Sequence, residues 1–234
     1  LVVRTLPAER PWEAMPHRLD GVLLFSVSAA QPRFMRELRR TPAVRLMGPP
    51  PGDGDFFDCV TYDERKIGEV AAAHLLRSGH QRVACLHKGG PCRTISFVQA
   101  ARKTGIEVLE IDKDNLYDES GKIQLPNRET MAEIARQISG TTPRPTAIYA
   151  GADIVASGLH SALSAVGLRP EVDIEIVGTN NDAALLDHLH PRPASVDIHA
   201  EEVGRRAVEQ LYWRLDHGRE PRQVIELEPE MARK

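Results

Sequence analysis

Residues 145–181, PTAIYAGADIVASGLHSALSAVGLRPEVDIEIVGTNN, constrain the fold more than any other part of the chain, because they read as strand, turn, amphipathic helix, loop and strand without interruption. Residues 146–149 form a short β-prone run, and Asp153 stands where an acidic N-cap accepts backbone N–H groups of the first helical turn. Val155, Leu159, Ala162, Leu163 and Val166 then recur at helical spacing. Gly167 is placed to end the helix with positive φ, and residues 174–177 supply a second buried strand. Strands joined through a helix in this way run parallel. Ligands of such sheets bind beyond the carboxyl ends of the strands, which directs attention to the turns at 151–153 and 179–181.

The same alternation continues through most of the chain and predicts an α/β fold with parallel sheets. Strands are expected at 20–25, 43–47, 82–86, 106–111 and 224–227, with the tail of one at 1–3. Helices are expected at 32–40, 65–77 and 94–103, then from Asn127 through the stripe Met131, Ile134, Ala135 and Ile138. A last helix at 201–215 sets Val203, Ala207, Leu211 and Leu215 on one face, and Gly79, Gly105 and Gly218 read as stops. Residues 9–17 make a weak helix interrupted by Pro11 and Pro16, GPPPGDGD at 48–55 a surface loop, and 112–126 a polar excursion. Extended or proline-rich sequence breaks the alternation at 59–63, 191–199 and 218–221, and three crossings are what a two-lobed chain requires.

With 234 residues, 41% of them apolar, the chain can bury one large core or two modest ones. A net charge of −3 and a pI near 6.3 argue against a nucleic-acid surface in these residues, so any DNA-binding part is expected elsewhere. Cys59, Cys85 and Cys92 lack metal-pair spacing; Cys85 reads as a buried apolar residue, and this usage fits reducing, cytoplasmic surroundings. No run approaches the roughly 18 apolar residues of a membrane span, and the expectation is a chain without a charged-then-apolar leader.

Enzymatic chemistry finds no basis. GPPPGDGD and HKGGPCR lack the order GxGxxG, and Gly121-Lys122 lacks the preceding glycine of a phosphate loop. His188 and His190 have no further ligands at suitable spacing, His74 and His80 read as structural, and Trp12 reads as core cover. No Ser/His/Asp or Cys/His arrangement stands out. The expectation is a non-enzyme without catalytic residues, cofactor or metal.

Several motifs in order carry a resemblance: AAAHLLRSGHQRVACL at 71–86; Arg93, Ser96 and Phe97 opening the next helix; PTAIYAGAD; DIEIVGTNN; ASVDIHAEEVGRRAVEQL; and an Asp-Gly-aliphatic strand at 20–24. Together they resemble the effector-binding core of the lactose-repressor (LacI) family, whose fold is shared with periplasmic sugar-binding proteins, from Leu1 to about Glu230. The resemblance implies two Rossmann-like lobes with parallel sheets joined by three crossovers, the periplasmic binding protein-like I fold. Residues 1–61 plus 197–218 would form the amino-terminal lobe, and 62–196 plus 219–234 the carboxyl-terminal one. The family's DNA-reading head, and the first strand and helix of its core, would precede Leu1. The implied role is that of a cytoplasmic homodimeric transcription regulator, without membrane contact, sensing a small molecule in the inter-lobe cleft. A transport solute-binding protein is the alternative on this fold, and a helix-turn-helix or an apolar leader encoded upstream of Leu1 would discriminate. A two-lobed enzyme is a third reading, without a catalytic constellation to support it.

The resemblance also names a candidate ligand set. Arg93 offers a fork of donors for vicinal hydroxyls or a carboxylate; the alternative is a solvated arginine at a helix start. Asp153 is either an acceptor for ligand hydroxyls or only an N-cap, and Asn180 either a ligand contact or a turn residue. Where the family often has polar residues, this chain has Phe25, Met47 and Ala152. Each unmatched buried polar group costs about 1–3 kcal/mol, so three such losses point to a ligand less polar than a typical sugar, or to a site that no longer responds. Residues preceding Leu1 that restore the polar set are the alternative.

Overall fold

Runs rich in Val, Ile and Leu, each followed by an amphipathic stretch, fold as strand–helix repeats because a parallel strand buries both faces and its helix buries one. The computed structural model describes residues 19–25, 38–39, 41–47, 52, 56–86, 92–111 and 127–232. Outside them lie the expected strand tail at 1–3, the helix at 9–17 with Trp12, most of the helix at 32–40, all of the loop at 48–55 but Gly52, and the excursion at 112–126.

In chain order the strands are β1 (Val22–Phe25), β2 (Ala43–Leu46), β3 (Asp58–Tyr62), β4 (Arg82–Leu86), β5 (Glu107–Ile111), β6 (Ala147–Tyr149), β7 (Glu175–Thr179), β8 (Ala194–Asp197), β9 (Val224–Leu227) and β10 (Glu230–Met231). The helices are α1 (Glu64–Arg77), α2 (Cys92–Lys103), α3 (Arg128–Gly140), α4 (Asp153–Ala165), α5 (Ala183–Leu186) and α6 (Ala200–Asp216). They divide into two compact units, Leu1–Tyr62 with Ala200–Leu227, and Asp63–His199 with Glu228–Lys234.

The first unit contains a parallel sheet in the order β1-β2-β3-β9, with α6 packed on β1, β2 and β3. Leu24, Leu38, Ala43 and Phe57 form its apolar cluster. Two expectations need correction here. Residues 59–63 are not merely an extended crossing, for Asp58–Tyr62 is a strand buried at every position. The closing strand, assigned above to the carboxyl-terminal lobe, pairs instead with β3 from Cys59↔Val224 to Tyr62↔Leu227. With β2 on one edge of β3, the other edge has N–H and C=O groups to satisfy, and β9 supplies them. The third crossing therefore follows Leu227 and not 218–221.

The apolar face expected on α6 holds only for its first half. Val203 and Ala207 are buried, but Leu211 is half-buried and Leu215 exposed, and the face continues inward through Gln210 and Arg214. Both are drawn in by the buried carboxylate of Asp58, which accepts from Gln210 Nε2 at 2.7 Å and from Arg214 Nε and Nη2 at 2.9 and 2.6 Å.

The second unit contains a six-stranded sheet in the order β10-β8-β7-β6-β4-β5, parallel except for β10. Alternation sorts its faces. Ala84, Leu86, Ile148 and Ile176 join Met131, Ile134 and Ile138 of α3 and Val155, Leu159 and Leu163 of α4 in one core. Tyr149 faces the other way and stacks on Phe97 of α2, with ring centroids 4.4 Å apart. Gly79, Gly105 and Gly167 end their helices at φ of 82°, 86° and 81°, each followed by a 6→1 bond such as Leu168 N to Leu163 O at 3.0 Å. Gly218, past the end of α6, does not take that conformation. Residues 194–197, expected only as extended chain, pair with β7 as β8, so the second crossing follows His199 and not Val196.

Candidate functional site

The carboxyl ends of β6, β7 and β8 bring three polar turns together in the second unit, and Asp153 joins them. It is not an N-cap: Ala152 holds that position without a side-chain bond, and Asp153 is the first helical residue. One carboxylate oxygen accepts the Ser195 hydroxyl at 2.7 Å and the other the Asp182 backbone N–H at 2.7 Å. Both oxygens thus serve β8 and the turn after β7, and the side chain is fully buried. Burial pushes this carboxyl up to about 6, against the Asp182 amide and the Ser195 hydroxyl, which favour its charged form. Gly178 makes room for it, because a Cβ there would lie 2.1 Å from Asp153 Oδ1.

The turn after β7 is held in an uncommon conformation, with Asn180 at φ 112° and Asn181 at φ 56°. Asn180 donates its N–H to Val196 O at 2.9 Å and is half-buried. Asn181 is the better-connected residue, and sequence reasoning passed over it. Its N–H donates to Ser195 Oγ at 3.0 Å, its side-chain Nδ2 to Asp197 Oδ2 at 2.9 Å, and its Oδ1 accepts from Arg192 Nη2 at 2.9 Å.

Arg93 is 7% exposed, so it is not a solvated arginine at a helix start. Its Nε and Nη2 grip the carboxylate of Glu64 at 2.7 and 2.5 Å, while Nη1 lies 3.4 Å from Gly151 O, in the turn after β6. Glu64 can face it because α1 and α2 cross closely at Gly68, one turn further along α1. A Cβ on Gly68 would fall 2.2 Å from Arg93 O and 2.4 Å from Phe97 N. Beneath the pair, Tyr149 OH lies 3.2 Å from Thr179 Oγ1; burial pushes its phenol above the usual range, with the Arg93 charge pulling the other way.

The structure therefore gathers Ala152, Asp153 and Asn180 at one sheet edge, with Arg93 joined to it through Gly151. Phe25 and Met47 belong to the first unit, at the carboxyl ends of its neighbouring strands β1 and β2. Phe25 is 64% exposed; Met47 is half-buried at φ 61° and donates its N–H to Val60 O. The opposite, amino edge of the second sheet carries a different cluster. There Glu175 receives His74 Nε2 at 2.6 Å and His80 Nε2 at 2.7 Å, and His80 Nδ1 meets Thr146 Oγ1 at 2.8 Å. Among the described residues no helix is long and apolar enough to cross a membrane.

Comparison with known proteins agrees with this architecture. A family model for the periplasmic binding protein-like domain matches residues 72–234. The HTH-type transcriptional repressor PurR of Escherichia fergusonii is 28% identical over 225 residues, covering 92% of this chain. The chain spans 62% of that relative's length. A regulatory protein of the LacI family from Chloroflexus aggregans superposes with a TM-score of 0.71 at 26% identity, over 91% of this chain and 75% of its own. A LacI family regulator from Enterococcus faecium with bound ribose gives 0.70 at 21% identity, over 92% and 78%, a likeness of fold. The core resembles that of LacI-family regulators, and the chain belongs to the periplasmic binding protein-like domain family.

Proposed function

We propose that this chain is the sensor core of a cytoplasmic LacI-type transcription regulator, binding a small molecule at the carboxyl edge of its second sheet and working as a homodimer with a DNA-reading head. The single observation that carries the reading is the turn Asn180–Asn181. Two successive non-glycine residues are held at positive φ at the carboxyl end of a parallel strand, braced by the buried Asp153 and by Ser195. Such strain persists where the surroundings over-determine it, and it concentrates at ligand clamps and switches. The similarity to a repressor supports the regulatory role, and the ribose in a structure of the same fold supports a small-molecule ligand.

The ligand is proposed to be less polar than a mono- or disaccharide. In the second unit Ala152 offers no side-chain hydrogen bond, the Arg93 fork is already engaged by Glu64, and both Asp153 oxygens are taken by Ser195 and the Asp182 N–H. Three unmatched hydroxyls at about 1–3 kcal/mol each lower sugar affinity by at least ~100-fold. Calorimetric titration with ribose, glucose and cellobiose is expected to give dissociation constants no tighter than ~1 mM, against a tighter value for a ligand with fewer hydroxyls. Micromolar binding of any of the three sugars overturns this choice of ligand.

A further inference from the structure

The turn after β7 is wired to the point where the chain leaves the second unit. Asn181 spends both ends of its amide: Oδ1 on Arg192 Nη2 and Nδ2 on Asp197 Oδ2, each at 2.9 Å. Arg192 is fixed in turn by Asp187, with Nε 2.9 Å from its Oδ1. The amide therefore cannot rotate without releasing a partner. Asp197 divides its carboxylate in the same way, one oxygen facing Asn181 and the other accepting the backbone N–H of His199 at 2.7 Å. His199 is the last residue of the second unit before Ala200 opens α6 in the first, and it stands at φ 54°.

We propose that Asn181 and Asp197 are positioning residues that transmit the state of the ligand turn to the backbone of the second crossing. The proposal rests on the reading of Asn180–Asn181 as a ligand turn and adds how occupancy is reported. A displacement of the turn that draws the amide away from Asp197 lets that carboxylate rotate, and His199 loses the acceptor that fixes its N–H. Ser195 ties the same turn to Asp153, so ligand contact near either residue reaches the relay.

Hydrogen bonding supplies a sharp test, because the two side chains can exchange roles. Asn181→Asp alone sets two carboxylates face to face. Asp197→Asn alone leaves one amide to accept on both sides, and its single oxygen serves only one donor. Combining the two restores every bond: the amide at 197 donates to the carboxylate at 181, keeps its oxygen for His199, and leaves Arg192 an acceptor. Amide hydrogen exchange of the whole chain, followed by NMR without any ligand, reads the result. Each single substitution is expected to speed exchange at the His199 N–H by ~10-fold or more while Ile148 in β6 stays at the parent rate, and the double substitution to return His199 to within ~3-fold. Parent-like exchange at His199 in either single variant, equal acceleration at Ile148, or a double variant as fast as the singles overturns the proposal. Since no ligand is involved, failure here leaves the ligand-turn reading intact.

Discussion

Arg214→Met is expected to destabilise the protein by about 3–5 kcal/mol, the penalty for leaving a buried charge without its partner. The magnitude follows from how completely the guanidinium is used. Nε and Nη2 reach the two oxygens of Asp58 at 2.9 and 2.6 Å, Nη2 also reaches Pro221 O at 2.9 Å, and Nη1 reaches Glu220 O at 2.7 Å and His217 O at 3.2 Å. All five N–H groups are satisfied. Methionine fills much of the volume but leaves Asp58, 1% exposed, with Gln210 and the Gln223 N–H as its partners among the described residues. Two bonds to a charged group, at about 1.5–3 kcal/mol each, account for the range. Urea unfolding in a Trp12→Phe background isolates Trp213, whose ring centroid lies 5.0 Å from Arg214 Cζ. With a slope of about 2 kcal/mol per molar, the midpoint falls by roughly 2 M. Removing both charges, as Asp58→Leu with Arg214→Met, is expected to recover most of the loss. A single variant that loses under ~1 kcal/mol, or a double variant no more stable than the single, refutes the reasoning.

Other perturbations probe the second unit. Gly68→Ala drives a methyl into Arg93 O and Phe97 N, forces α1 and α2 apart, and is expected to cost about 1–3 kcal/mol by calorimetry; an unchanged melting temperature contradicts the close crossing. Asp153 sets a pH slope. Its folded carboxyl holds a proton up to about 6 and its unfolded one only to 3.8, so its contribution is greatest below 3.8 and is lost as pH rises through 6, on the order of 3 kcal/mol. Asp153→Asn should flatten the stability profile between those values, and a profile parallel to the parent's counts against the buried carboxylate. Glu175 acts in the opposite sense. Burial raises its carboxyl, but the bonds and charges of His74 and His80 outweigh that and hold it at about 2, so its contribution is present above 4.5 and lost as pH falls through 2. Glu175→Gln should therefore lose stability at pH 7 relative to the parent and converge with it in acid.

What could be read in the sequence was what local chemistry decides. Gly79, Gly105 and Gly167 announce helix ends because the positive φ they adopt is a property of one residue and its neighbours. The stripe Met131, Ile134, Ala135 and Ile138 names its own buried face. Partners far along the chain left no such trace. Nothing near Gln210 and Arg214 says that their acceptor is Asp58, more than 150 residues away, so α6 was expected to bury Leu211 and Leu215. Asp153 looked like a cap because its position fits one, whereas its partners, Asp182 and Ser195, come from other elements. The pairing of β9 with β3 was equally hidden, since four residues reading VIEL suit either sheet. At the candidate site, Asn180 and Asn181 are alike in sequence, and only the position of Asp197 and Arg192 tells them apart.

The central claim is that ligands seat at the carboxyl edge of the second sheet, and its most direct test is an amide NMR titration. A compound first found by thermal shift is added to the isotope-labelled chain, and perturbed amides are mapped. Shifts concentrated at Gly151, Ala152, Asp153, Thr179, Asn180 and Asn181 are the predicted result. Shifts centred instead on His80, Thr146 and Glu175, at the opposite edge, contradict it.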